Sequence, residues 1–129
     1  MPRQRRNAYG VICSTLTIEL IRTIVRVILE EDDAAALAEE ALLCAALSIG
    51  QAEGRNMSAS KIASYVGLPR PTAIRKMQRL HQRGILAQDG DKSWRFASHQ
   101  QAIDDRISAA VAVNLRHIRK AARAVSKLD

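Results

Sequence analysis

Residues 67–84 read GLPRPTAIRKMQRLHQRG. Gly67 is the residue type that closes a helix in the left-handed conformation. Pro69 and Pro71 hold the residues before them extended, so a new helix starts at about Arg70, and Pro71 is tolerated there because first-turn amides have no intrahelical partner. Ile74, Met77, Gln78 and Leu80 orient that helix inward. Arg70, Thr72, Arg75, Lys76, Arg79 and Arg83 then occupy its outer side and flanks, and Gly84 ends it. The five cations of this segment allow two readings: a solvated face, or a face pressed against an anion.

The neighbouring segments decide between them. Upstream, Ser58 is an N-cap residue for a short helix, ASKIASYV, that stops at Gly67. Downstream, ILAQ, DGDK and SWRF predict two short strands around an Asp89–Gly90 turn, a β-hairpin that carries Lys92 and Arg95. Trp94 is expected to anchor this hairpin to the core rather than to stack on a base. Further out, TLTIELIRTIVRVILEE is rich in β-branched residues, but Glu19, Arg22, Arg26 and Glu30 recur three or four apart, which predicts a helix over residues 11–31. Its apolar residues cover more of the circumference than one core face requires, so it packs on two sides. Asp32 or Asp33 caps the next helix, which starts at Ala34; Gly50 and Gly54 bracket its end. A last helix over residues 99–127 sets Ile103, Ile107, Val111, Leu115, Ile118, Ala122 and Val125 in one apolar seam, suited to pairing with another long helix.

The charge follows this organisation. The 129 residues hold 20 Lys plus Arg against 13 Asp plus Glu, a net charge of +7, and the pI is near 10.1. Residues 1–10, a basic arm with Arg3, Arg5 and Arg6, carry +3. Residues 11–53 carry two cations and eight anions, whereas residues 54–97 carry nine cations against Asp89 and Asp91. The net positive charge points to an anionic partner such as nucleic acid or a membrane surface, and its excess sits over residues 54–97. Aromatics make up 3% of the chain, too few for a single-strand stacking platform, so duplex is the expected form. No stretch is long and apolar enough for a membrane span, and Glu19 and Arg22 break the segment behind MPRQRR that would otherwise imitate a leader, so a cytoplasmic location is expected. Cys13 and Cys44 sit among apolar residues without ligand spacing and are expected to be buried thiols. His81, His99 and His117 are scattered. Asp104 and Asp105 point to different sides of a helix, and no nucleophile lies beside a base. The expectation is therefore a protein that is not an enzyme and needs no cofactor or metal.

Short helix, glycine turn, basic helix, glycine, hairpin: this order resembles a winged helix-turn-helix. The likeness rests on Ile62–Ala63, Val66–Gly67–Leu68–Pro69, Thr72, Ile74, Arg75, Leu80, Gly84 and Ile85, and extends over residues 34–97. It is similar to MarR-type bacterial transcriptional regulators first and to the IclR-type DNA-binding domain second. Long flanking helices favour the MarR-type layout. DGDKSWRF, however, stands where MarR-type wings carry an Asp-x-Arg element, and ASHQQ replaces the usual Leu-Thr start of the last helix.

The expected fold is a single domain, mainly α with a small β-hairpin: a winged helix-turn-helix over residues 34–97 between long N- and C-terminal helices. The resemblance implies a homodimer through residues 11–31 and 99–127, and a small-molecule effector bound between these helices and the winged unit. The function expected is sequence-specific binding of double-stranded DNA as a transcriptional regulator, with repression as its mode. The amino-terminal half of the basic helix would enter the major groove, with Arg70, Thr72 and Arg75 nearest the bases and Arg79 and Arg83 on phosphates. Lys92 and Arg95 would reach the minor groove or backbone. Ser58, Pro71 and Lys76 complete the candidate contacts. The alternative is a non-catalytic winged-helix module that binds a protein partner.

Overall fold

The computed structural model describes all residues, Met1–Asp129. The elements run α1 (Arg3–Thr23), a π-helical turn (Ile24–Ile28), α2 (Ala38–Ala52), α3 (Ala59–Val66), α4 (Arg70–Gln82), β1 (Leu86–Gln88), β2 (Trp94–Phe96) and α5 (Gln101–Leu128). The architecture is mainly helical with one antiparallel hairpin, a winged helix-turn-helix carried by two long helices.

Those long helices form an antiparallel stalk. Arg5 Nη2 donates to the Leu128 carbonyl at 3.2 Å, and the Tyr9 hydroxyl donates to the Asp129 carboxylate. Midway, His117 Nδ1 lies 2.8 Å from Glu19 Oε2, and at the other end Arg106 donates to the Ile28 carbonyl and pairs with Glu30. Residues 3–10 are consequently not a free arm: they are the first turns of α1, which begins at Arg3. At its other end α1 loosens into the π turn, and the chain leaves it through Glu30, a non-glycine residue at φ 54°.

The expected start of the next helix at Ala34 also shifts. Asp33 accepts a 3.0 Å bond from the Ala36 amide and so caps an isolated turn; α2 itself begins at Ala38. It continues through Gly50, which is buried inside it because a Cβ there would stand 2.8 Å from the Arg55 carbonyl oxygen. Gly54, at φ 72°, reverses the chain after the helix.

Twenty buried apolar residues make one core from the π turn, α2, α3, α4, the hairpin and the first turns of α5. The stalk shares little of it. In α1 only Thr23 is buried, and in α5 only Ile103 and Ala110. The α5 seam therefore divides: Ile103 enters the core, while Val111, Leu115 and Ile118 are 54%, 41% and 45% exposed. α5 lies on α1 through a neighbouring line that includes Asn114, whose side-chain amide donates to the Leu20 carbonyl at 3.4 Å. Cys13 stands exposed on α1, against the expectation of burial. Cys44 is buried in α2, and loss of hydration, with the Glu40 carboxylate adding to it, pushes its thiol up to about 12. No helix is long and apolar enough to cross a membrane.

Candidate nucleic-acid interface

The site is built on the turn between α3 and α4. Ser58 caps α3, its Oγ accepting from the Lys61 amide at 3.3 Å. Gly67, at φ 79°, ends α3 in the left-handed region, and the amides of Gly67 and Leu68 both donate to the Ala63 carbonyl. A side chain at that φ would strain the backbone, so glycine here sets the angle between the two helices. Pro69 and Pro71 then start α4 at Arg70.

α4 is held by Ala73, Met77 and Leu80, all buried against the core. Residues at three- and four-residue steps on the opposite side are left outside: Pro71, Arg75, Gln78, Arg79 and Gln82 are exposed. Neither Arg75 nor Arg79 has an acidic partner. Arg70 is exposed at the start of the helix with its Nε 2.8 Å from Ser60 Oγ, and Thr72 is half-buried beside it. The guanidinium is thus aimed across the α3–α4 turn before any ligand arrives.

Three candidate contacts are directed elsewhere. Lys76 Nζ lies 2.8 Å from Glu40 Oε1, with the two side chains only 13% and 10% exposed, so it anchors α4 to α2. Arg83 Nη2 donates to the Leu29 carbonyl at 2.6 Å and lies 3.4 Å from Glu31, tying the end of α4 to the π turn. Arg95 is half-buried on the hairpin, with Nε 3.0 Å from Asp89 Oδ1 and Nη1 donating to the Phe96 carbonyl. Periodicity could not separate these residues from Arg75 and Arg79, because their partners lie far away in sequence or in the wing loop.

The hairpin is the wing. Leu86, Ala87 and Gln88 pair with Phe96, Arg95 and Trp94. The connection is not a two-residue turn at Asp89–Gly90 but a loop over residues 89–93 whose left-handed residue is Lys92, at φ 65°. Lys92 is exposed at its tip. The Ser93 hydroxyl and amide both donate to the Asp91 carboxylate, at 2.7 and 3.1 Å, and hold it below the usual carboxylate range. Trp94 is buried as expected: its amide donates to the Met57 carbonyl at 3.0 Å, and its ring meets His81 edge-on at 5.9 Å. The Phe96 amide donates to Gln51 Oε1 at 2.7 Å, which fixes the wing to α2.

Between α3, α4 and the wing lies an open groove of about 300 Å³. Ser58, Ser60, Arg70, Gln78, Gln88 and Lys92 supply its polar lining. Gln78, Ser60 and Gln88 of this groove, and Gln82 on the outer line of α4, go beyond the contacts expected from the sequence. Gln78 is expected on the inward side with Met77 and Leu80, yet it falls one residue outside that line. The resulting surface joins guanidinium groups, which suit guanine O6 and N7 or phosphate, to carboxamides, which suit adenine N6 and N7.

Residues 51–90 match the IclR helix-turn-helix domain. The matched span takes in the end of α2, all of α3 and α4, β1 and the first residues of the wing loop, under a third of the chain. The match therefore falls to the second of the two resemblances, not to the MarR type. It supports a helix-turn-helix DNA-binding element of a transcriptional regulator. No curated protein and no solved structure gives a significant match to the chain.

Proposed function

We propose that the chain is a cytoplasmic, non-catalytic transcriptional repressor that binds duplex DNA sequence-specifically as a homodimer. The observation that carries the reading is the outer line of α4: five exposed residues without protein partners, two of them arginines, on a helix clamped from behind by a buried ion pair. A helix so presented fits a major groove, with Lys92 of the wing beside it for phosphate or minor groove. Arg70, Thr72, Arg75 and Gln78 would read bases, and Arg79 and Ser58 would touch the backbone. The uncovered stretch Val111, Leu115 and Ile118 supports a second copy on the stalk. The same three residues form one wall of an open apolar groove of about 320 Å³ between the π turn, α2 and α5, which a second copy would cover and close into a space for an uncharged small-molecule effector.

Selection of bound sequences from genomic DNA tests the reading, since two reading heads related by symmetry select a pseudo-palindrome. Repression predicts that a promoter carrying that sequence is silenced in a reporter strain. If the double variant Arg75→Ala, Arg79→Ala bound the selected duplex as tightly as the wild type, the proposed reading head would be wrong. A protein complex recovered in the absence of any duplex binding would favour the interaction-module alternative.

A further inference from the structure

Eight of the eleven Lys and Arg residues outside the winged unit gather at the far end of the stalk. Arg116, Arg119, Lys120, Arg123 and Lys127 recur at three- and four-residue steps and line one face of α5. All five are exposed, and none belongs to an ion pair. The bond from Arg5 to the Leu128 carbonyl brings Arg3, Arg5 and Arg6 to the same end. Asp129 is the single acidic residue among residues 1–18 and 116–129. Like charges four apart on a helix repel. Here 116 and 120, 119 and 123, and 123 and 127 are all such pairs, so a polyanion laid along the stripe relieves the repulsion.

The geometry points to a second, sequence-independent duplex-binding surface on this face of α5, and the inference rests on reading the chain as a duplex-binding protein. The stripe is about 16 Å long and starts about 22 Å along α5 from Gln101, at 1.5 Å per residue. At 3.4 Å per base pair its length matches about five base pairs of duplex. A membrane-surface helix sets large apolar side chains beside its cations for insertion. Here the same face continues with Ala109 and Ala112, Val111 and Ile118 point away from it, and Leu115 alone borders the stripe beside Arg119, too little apolar surface for insertion. Phosphates along a duplex require only spaced cations.

The test uses the full chain, fluorescence anisotropy with a random-sequence duplex, and a salt series. Five proteins are compared: the wild type, a stripe variant with all five residues changed to Gln, the head variant Arg75→Ala, Arg79→Ala, the combination, and a conservative lysine variant of the stripe. The head variant is expected to keep salt-sensitive binding. The stripe variant should flatten the slope of log affinity against log salt by about 0.9 for each phosphate no longer neutralised, up to about 4 to 5. The combination should not bind. The conservative variant Arg116→Lys, Arg119→Lys, Arg123→Lys should retain the wild-type slope, which separates charge from folding. A slope that steepens as a specific duplex is lengthened places the phosphates on its flanks; capture of a second labelled duplex by the head variant places them in trans. A stripe variant with an unchanged slope overturns the inference, as does stripe-dependent binding to phosphatidylserine vesicles with none to duplex. If the head variant kept specific binding while the stripe variant lost random binding, the α4 reading would fail and the stripe would stand.

Discussion

Lys76 and Arg75 are adjacent cations on α4, and the structure pairs the first with Glu40 and leaves the second exposed. Lys76→Met removes one member of an ion pair whose side chains are 13% and 10% exposed. Glu40 is then left as a buried carboxylate without its partner, which costs about 3–5 kcal/mol. For a chain of this length each kcal/mol lowers Tm by about 3–5 °C, so a drop on the order of 10–20 °C is expected. Adding Glu40→Leu should recover most of the loss, because a buried pair exchanged for apolar side chains is close to neutral. Arg75→Ala should behave in the opposite way. Its side chain is exposed and unpaired, so stability changes by less than about 0.5 kcal/mol. Its removal should instead flatten the salt slope of duplex binding by about 0.9. Thermal melts and a salt series, the latter run well below either melting point, measure both effects on the same preparations. If Lys76→Met melted with the wild type and flattened the slope as Arg75→Ala does, the inward assignment of Lys76 would be refuted.

Four further outcomes follow from the packing. A thiol-reactive dye should label one cysteine per native chain, exposed Cys13, and reach Cys44 only after denaturation. Because burial raises the Cys44 pKa from 9.0 to about 12, the stability tied to its neutral thiol is complete below pH 9.0 and lost as pH rises towards 12; any advantage of the wild type over Cys44→Ala should therefore shrink across that window in denaturant titrations. Gly50→Ala would force a methyl to within 2.8 Å of the Arg55 carbonyl oxygen, so it should destabilise by about 1–3 kcal/mol, seen as a lower denaturant midpoint. Leu115→Glu, at a position 41% exposed in the single chain, should leave the melt of the winged unit intact yet shift the sedimentation mass to that of a monomer; retention of a dimer would remove the α5 seam from the proposed interface.

Much of the fold was legible because it depends on local chemistry. Ser58, Gly67, the two prolines and Gly84 each act within a few residues of themselves, and they mark the ends of α3 and α4 without reference to the rest of the molecule. The hairpin was legible for the same reason, but its turn was not. Asp89–Gly90 is a strong two-residue turn signal, yet Asp89 is held by Arg95 and Asn56, and the reversal moves on to Lys92. The amino-terminal residues mislead because a run of arginines behind a proline looks like an arm. What makes them helical is the other end of the chain, where Leu128 and Asp129 receive Arg5 and Tyr9.

The candidate site divides along the same line. That α4 is basic, capped and amphipathic is a property of residues 67–84 alone, since helical periodicity is set by the backbone. Which of its cations remain available to a ligand is a property of the fold. Lys76 and Arg83 meet acids from residues 40 and 31, which no local pattern brings near, and Arg95 is claimed by Asp89 in the loop of its own hairpin. Burial also decided Gln78, one position off the inward line and therefore exposed. The sequence by itself determined a basic, capped, amphipathic helix; only tertiary structure, by pairing Lys76, Arg83 and Arg95 with acids and leaving Arg70, Arg75, Arg79 and Lys92 without an acidic partner, decided which cations the proposed duplex surface retains.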